Sequence, residues 1–180
     1  TPISNTTGYN IYKNGILEKS NYTSTSSVFS NLAGGTLYKM EASALVNSVE
    51  SAKGSLDIVT ICNSPTGLNH SNLKPSEFVL SWNSVTGASG YNIYKNNTII
   101  ATNISTTSYN VKGLTAQVTY NMSVSATNSS GESSQSSTRS VTTPRGDRVS
   151  GLQSSNITTS SFTLAWNSVT DATSYKIYKN

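Results

Sequence analysis

The chain has 180 residues, of which 11% are charged, with a net charge of +4 and a single cysteine, Cys62. Its Lys and Arg residues are scattered singly rather than gathered into the stripe that nucleic acid requires, so no nucleic-acid partner is expected. No apolar run approaches the ~20 residues that span a bilayer, and one cysteine excludes both an intrachain disulfide framework and a Cys-based zinc cage.

From the N-terminus, Gly8-Tyr9-Asn10-Ile11-Tyr12-Lys13-Asn14 alternates as a half-buried strand does. Asn14-Gly15 then separates it from Ile16-Leu17, a strong hairpin signal because both turn positions need positive φ. A further strand is expected around Ser27, followed by one through Tyr38. The same pattern returns after Cys62. Pro65-Thr66-Gly67-Leu68 supplies an opening turn, and Phe78, Leu80 and Trp82 share one face of the next strand. Tyr91 and Ile93 then point one way while Asn92 and Tyr94 point the other. Lys95-Asn96-Asn97 turns the chain into Thr98-Ile99-Ile100. Strands follow at Ser108–Val111, at Tyr120–Ala126 and from Ser137 to Thr143. The third passage repeats Phe162, Leu164 and Trp166, with Thr163 and Ala165 outward, then Ser174-Tyr175-Lys176-Ile177-Tyr178-Lys179-Asn180.

Tyr9, Tyr91 and Tyr175 are thus 82 and 84 residues apart, the signature of a tandem array. The array divides into 1–62, which lacks the first two strands and the tryptophan; 63–144, a complete copy; and 145–180, which holds the first three strands only. Thr1 falls where the repeat places the residue after its tryptophan, so the chain reads as a window from a longer protein. No segment carries a helical period, and short strands between Ser-, Asn-, Gly- and Pro-rich turns make an all-β sandwich class.

These residues resemble the fibronectin type III domain, an immunoglobulin-like β-sandwich. The likeness rests on Trp82 and Trp166, on the Tyr-x-Ile-Tyr-Lys-Asn strand, and on Leu114 six residues before Tyr120, matched by Leu32 and Tyr38. The last two pairs look like the tyrosine corner of such sandwiches, whose hydroxyl bonds to nearby backbone, and with both tryptophans they are expected in the core. The resemblance implies a core in which Phe78, Leu80 and Trp82 meet Tyr91, Ile93, Met122 and Val124. A narrower likeness joins Tyr-Asn-Ile-Tyr-Lys-Asn and Ser125–Ser133 to variants in secreted bacterial polysaccharide-degrading enzymes. It implies an extracellular spacer array without catalysis, cofactor or obligate oligomer, whose partners are neighbouring modules of its own chain. The first copy departs at Val49, which stands where the second has Gly131.

Adhesion to glycans or cell-surface receptors is the alternative. Tyr12, Tyr94 and Tyr178 lie on the outward face of the third strand, where an aromatic ring can stack on a sugar or pack against cross-strand neighbours. Arg145-Gly146-Asp147 is similar to the integrin-binding triplet of fibronectin, but falls between copies rather than in the loop at Asn128–Glu132. Thr60 with Thr142, and Gly67 with Gly151, place two extra residues inside that second linker.

The remaining candidates read blandly. His70, the only histidine, is expected in a solvated loop with no acid beside it to build a catalytic triad. Glu18, Glu41, Glu50, Asp57, Glu77, Glu132, Asp147 and Asp171 lack glycosidase or calcium-loop spacing, so no metal site is expected. Cys62 is expected as an exposed or half-buried filler in the first linker. The Asn-x-Ser/Thr triplets at Asn5, Asn21, Asn69, Asn96, Asn103, Asn121, Asn128 and Asn156 are chance products of a composition rich in these residues.

Overall fold

The computed structural model describes residues 5–169 and 172–179. The positions of Thr1, Thr170, Asp171 and Asn180, invoked above, lie outside the described residues. Among the described residues there are fifteen strands and no helix. The first passage contains β1 (Thr6–Lys13), β2 (Ile16–Tyr22), β3 (Leu37–Val46), β4 (Val49–Glu50) and β5 (Gly54–Val59). The middle passage contains β6 (Asn69–Ser71), β7 (Phe78–Ser81), β8 (Gly90–Lys95), β9 (Thr98–Ile104), β10 (Ser108–Val111), β11 (Thr119–Asn128), β12 (Gly131–Glu132) and β13 (Arg139–Thr142). The last holds β14 (Gln153–Ser155) and β15 (Thr163–Ala165).

In the middle passage a three-stranded sheet, β10-β7-β6, faces a five-stranded sheet ordered β12-β11-β8-β9, with β13 on the free side of β11. All neighbours are antiparallel. Phe78, Leu80 and Trp82 on one side bury against Tyr91, Ile93, Tyr120, Met122, Val124 and Ala126 on the other, with Val111, Leu114 and Val141 completing the cluster. The Trp82 indole meets the Tyr91 ring edge-on, 5.4 Å between centroids. The Tyr91 hydroxyl then accepts the Val85 N–H at 2.9 Å, so one side chain packs the core and caps a loop.

Asparagine does much of the turning. Asn14 and Gly15, and likewise Asn96 and Asn97, have positive φ in their two-residue hairpins. Asn96 also bridges out of its turn: its N–H donates to the Asn121 carbonyl at 2.7 Å, and its Oδ1 accepts the Asn121 N–H at 2.9 Å. Asn14 makes the same pair with Lys39, so the turn is stitched to the neighbouring strand in both passages. The Tyr120 hydroxyl accepts the Thr115 N–H at 2.9 Å, and Tyr38 accepts that of Ala33 at 2.8 Å.

The flanking passages differ from the sequence expectation. Residues 23–36 carry no strand, so the one expected around Ser27 is absent. In the middle passage the equivalent strand, β10, pairs with β7, and the first passage has no such neighbour. Among the described residues of the last passage two strands form rather than three. Residues 172–179 carry no strand, and among the described residues neither partner of their counterpart β8, that is β9 or β11, has an equivalent beside them. Leu32, Tyr38 and Trp166, expected as core, are therefore half-buried. The contrast between copies measures what the opposing sheet supplies: Phe78 is 1% exposed and Phe162 65%, Ile93 0% and Ile177 68%. The inner faces of both flanking passages stay open as grooves, one bordered by Tyr9, Ile11 and Ala42 and the other by Leu164, Trp166 and Ile177.

Replacing Trp82 by Ala removes the indole from a site 5% exposed. The expected cost is about 3–5 kcal/mol, a large share of the ~5–15 kcal/mol a domain has. Urea denaturation should show the cooperative transition of the middle passage lost or shifted to far lower denaturant, while Trp166→Ala should leave it within experimental error.

Candidate functional site

The outward face of the five-stranded sheet carries Tyr94, and its hydroxyl is engaged within the passage. The Tyr94 hydroxyl and the Ser125 hydroxyl both donate to Oε1 of Glu132, which β12 places beside β11. Ser123, next on the same face, donates to Oε1 of Gln135 at 2.6 Å. Asn92 supports the layer from β8, its Oδ1 accepting the Asn103 N–H at 3.2 Å where β9 bulges and Asn103 takes positive φ. These polar side chains lie on the outer side, yet Ser125 is 0%, Ser123 4% and Asn92 7% exposed. The sheet is sealed outside by hydrogen bonds as it is inside by apolar contact.

The first passage repeats the arrangement. The Tyr12 hydroxyl donates to Oε1 of Glu50 at 2.6 Å, and the Ser43 hydroxyl donates to the same oxygen. The Lys53 ammonium sits 3.3 Å from the Tyr12 ring centroid, a cation–π contact that covers the face a sugar would need. Hydrogen bonds from Ser125, then Tyr94 and Asn92, hold the Glu132 carboxyl below the usual carboxylate range, and the bond to Glu132 in turn raises the Tyr94 phenol. Glu50 and Tyr12 shift the same ways, led by the Ser43–Glu50 and Tyr12–Glu50 hydrogen bonds respectively. Tyr178, the third outward tyrosine, is 84% exposed. The missed signal was present in the sequence: Tyr-to-Glu and Ser-to-Glu separations are 38 and 7 residues in both passages.

Arg145 and Asp147 are exposed and Gly146 half-buried, in the segment between β13 and β14. The turn at Asn128–Gly131 points back at the first passage instead. Asn128 Nδ2 donates to the Thr60 carbonyl at 2.8 Å, and the Ser130 hydroxyl donates to the Val59 carbonyl. Strand register also moves one of the two extra residues. Tyr38 opposes Ile58 and Tyr120 opposes Val141, so the last strand is already offset by one before the linker starts. The Thr60 hydroxyl donates to the Ala33 carbonyl and that of Thr143 to Thr115, so Thr143, not Thr142, is the counterpart of Thr60. One extra residue therefore lies between Ser133 and Arg139, and one in the linker.

Two expectations change. His70 lies in strand β6, half-buried, 6.1 Å edge-on to Phe78 with Arg139 Nε 3.4 Å from its Nδ1. Burial and the Arg139 charge hold its pKa below the ordinary value. Cys62 is buried within the middle core, which pushes its thiol pKa up. A thiol so placed is a small apolar filler rather than a nucleophile. Among the described residues no group of three or more His, Cys, Asp or Glu side chains could hold a metal ion, and no helix is long and apolar enough to cross a membrane.

Two facing antiparallel sheets with a tyrosine corner and a central tryptophan define an immunoglobulin-like sandwich module. Residues 63–143 match the family model of the fibronectin type III domain. The chain is similar to chitinase A1 of Niallia circulans, 30% identical over 145 residues, or 73% of this chain and 20% of that protein. It is also similar to a poly(3-hydroxybutyrate) depolymerase of Delftia acidovorans, 36% identical over 92 residues, covering 49% of this chain and 18% of that enzyme. The chain thus spans about a fifth of the length of these curated relatives. Among solved structures, a segment of two fibronectin type III domains from chicken tenascin has a TM-score of 0.52 at 20% identity, covering 79% of this chain and 87% of that one.

The outer polar layer imposes a pH dependence. An unfolded Glu titrates near ~4.3, and the folded Glu132 carboxyl titrates lower. Its contribution is therefore present above about pH 4.3 and lost as pH falls through the folded value. The urea midpoint of the middle domain should fall more steeply on acidification in the wild type than in Glu132→Gln, in parallel titrations from about pH 6 to 3.

Proposed function

We propose that this chain is a non-catalytic array of fibronectin type III repeats, divided as 1–62, 63–144 and 145–180, that sets the spacing of neighbouring catalytic or binding modules in an extracellular protein. The observation that carries this reading is the outer tyrosine. In both passages where its partner strands are present, its hydroxyl is held by a glutamate of its own repeat. In the first, a lysine also covers the ring. A sugar platform presents aromatic rings free to bind; here both hydroxyls are committed within their repeats and the Tyr12 face is covered. The relatives support the reading from another side. By name they act on different polymers, chitin and poly(3-hydroxybutyrate), so a module common to them serves something other than recognition of one substrate.

Adhesion through Tyr94 or through Arg145-Gly146-Asp147 remains the competing class, and a binding assay separates the two. The 180-residue chain is incubated with insoluble chitin and with poly(3-hydroxybutyrate) granules, and the pellet and supernatant are compared. Wild type and Tyr94→Ala are both expected in the supernatant, with no soluble product released from either polymer. Retention on either solid that Tyr94→Ala abolishes, or any release of product, overturns the spacer reading.

A further inference from the structure

The first and middle repeats meet at two places. One is the clasp already described, in which Asn128 and Ser130 hold the carbonyls of Thr60 and Val59. The other is backbone against backbone. Gly35, in the turn before β3, lies on Gly87, in the turn between β7 and β8. A methyl group built on Gly35 would sit 1.9 Å from the Thr86 carbonyl oxygen, and one on Gly87 would sit 2.0 Å from that of Gly35. Both are far inside van der Waals contact, and the obstacle in each case is main chain, which cannot rotate away. Both glycines also have left-handed φ, +64° and +71°, which side-chain-bearing residues seldom adopt. Between these contacts the linker is anchored by Cys62, 6% exposed within the middle core.

We propose that this joint is fixed in angle, and that the next joint along the chain does not repeat it. The offset that aligns Tyr38 with Tyr120 sets Gly35 against Gln117, and the offset that aligns Trp82 with Trp166 sets Gly87 against Asp171. Gln117 keeps the positive φ of its counterpart, +59°, but carries a side chain. With Gln117 in place of Gly35, the second joint lacks one of the two glycines that the close main-chain approach of the first requires. The linker differs in the same direction. Ile61-Cys62-Asn63-Ser64 at the first joint becomes Pro144-Arg145-Gly146-Asp147-Arg148 at the second, one residue longer, with three charges and all but Gly146 exposed. The first joint is held by the glycine pair and the clasp, and the second, where Arg145-Gly146-Asp147 lies, does not repeat that glycine pair. This asymmetry stands on the joint geometry and does not depend on the spacer reading.

Residual dipolar couplings of the weakly aligned, full-length chain test it. Alignment tensors are fitted separately to residues 6–59 and 68–143. The expected wild-type result is one shared tensor in magnitude and orientation. Gly87→Val should give two tensors of different magnitude, while amide shifts of β8 and β11 stay native. Should Gly87→Val not fold, the double variant Asn128→Asp with Ser130→Ala decides the matter. It removes both clasp donors, keeps the Asn128 turn acceptor, and should likewise separate the tensors. Two unequal tensors in the wild type, or a shared tensor retained in the variant that decides, would overturn the proposal. Retention on chitin or poly(3-hydroxybutyrate) has no bearing on this outcome.

Discussion

The edge-on contact of Trp82 with Tyr91 is the constraint on which the middle repeat depends. The indole follows β7 in the three-stranded sheet, and the phenol belongs to β8 in the five-stranded one. Their contact is therefore what brings two separately paired sheets to one distance. Neither sheet is a stable object alone, since each buries only one face and a few strands repay little of the chain entropy they cost. The flanking repeats show how local such a contact is. Trp166 and Tyr175 form the same edge-on pair at 5.5 Å, and the Tyr175 hydroxyl accepts the Val169 N–H just as Tyr91 accepts Val85. Yet Tyr175 is 39% exposed. The pair assembles from nearby sequence; the core needs the opposing sheet.

That division explains how much of the fold was legible in the sequence. Alternation at Phe78–Trp82 and Tyr91–Ile93, and the Asn turns, are short-range signals, and they located strands wherever the cross-sheet partners exist. The strand expected around Ser27 and the third strand of the last repeat did not form, because strand identity is a property of pairs. Residues Tyr175–Tyr178 have the same alternation as Tyr91–Tyr94, but among the described residues no strand pairs with them. His70 was misplaced for the opposite reason. Asn69–Ser71 looks like a polar loop, and three residues become a strand only because β7 lies beside them.

The site was less legible than the fold. Tyr94 was visible as an outward aromatic, but its neighbours are Ser125 and Glu132, from a different hairpin, and no local pattern ties them to it. What sequence did contain was the recurrence of all three residues at one offset, as Tyr12, Ser43 and Glu50. A carboxylate accepting two hydroxyls can close a sheet face without apolar residues. That is how a surface so poor in charge and so rich in Ser and Thr stays ordered around the middle repeat.

The clasp between repeats has a consequence for biosynthesis. The side chains that grip Thr60 and Val59 come 68 and 71 residues later in the chain. During vectorial synthesis the first repeat is released from the ribosome well before the hairpin that fastens it has been made. The strands of the first repeat can then pair undisturbed by the repeat behind them. The angle between them is written last, when residues 128–130 emerge and reach back.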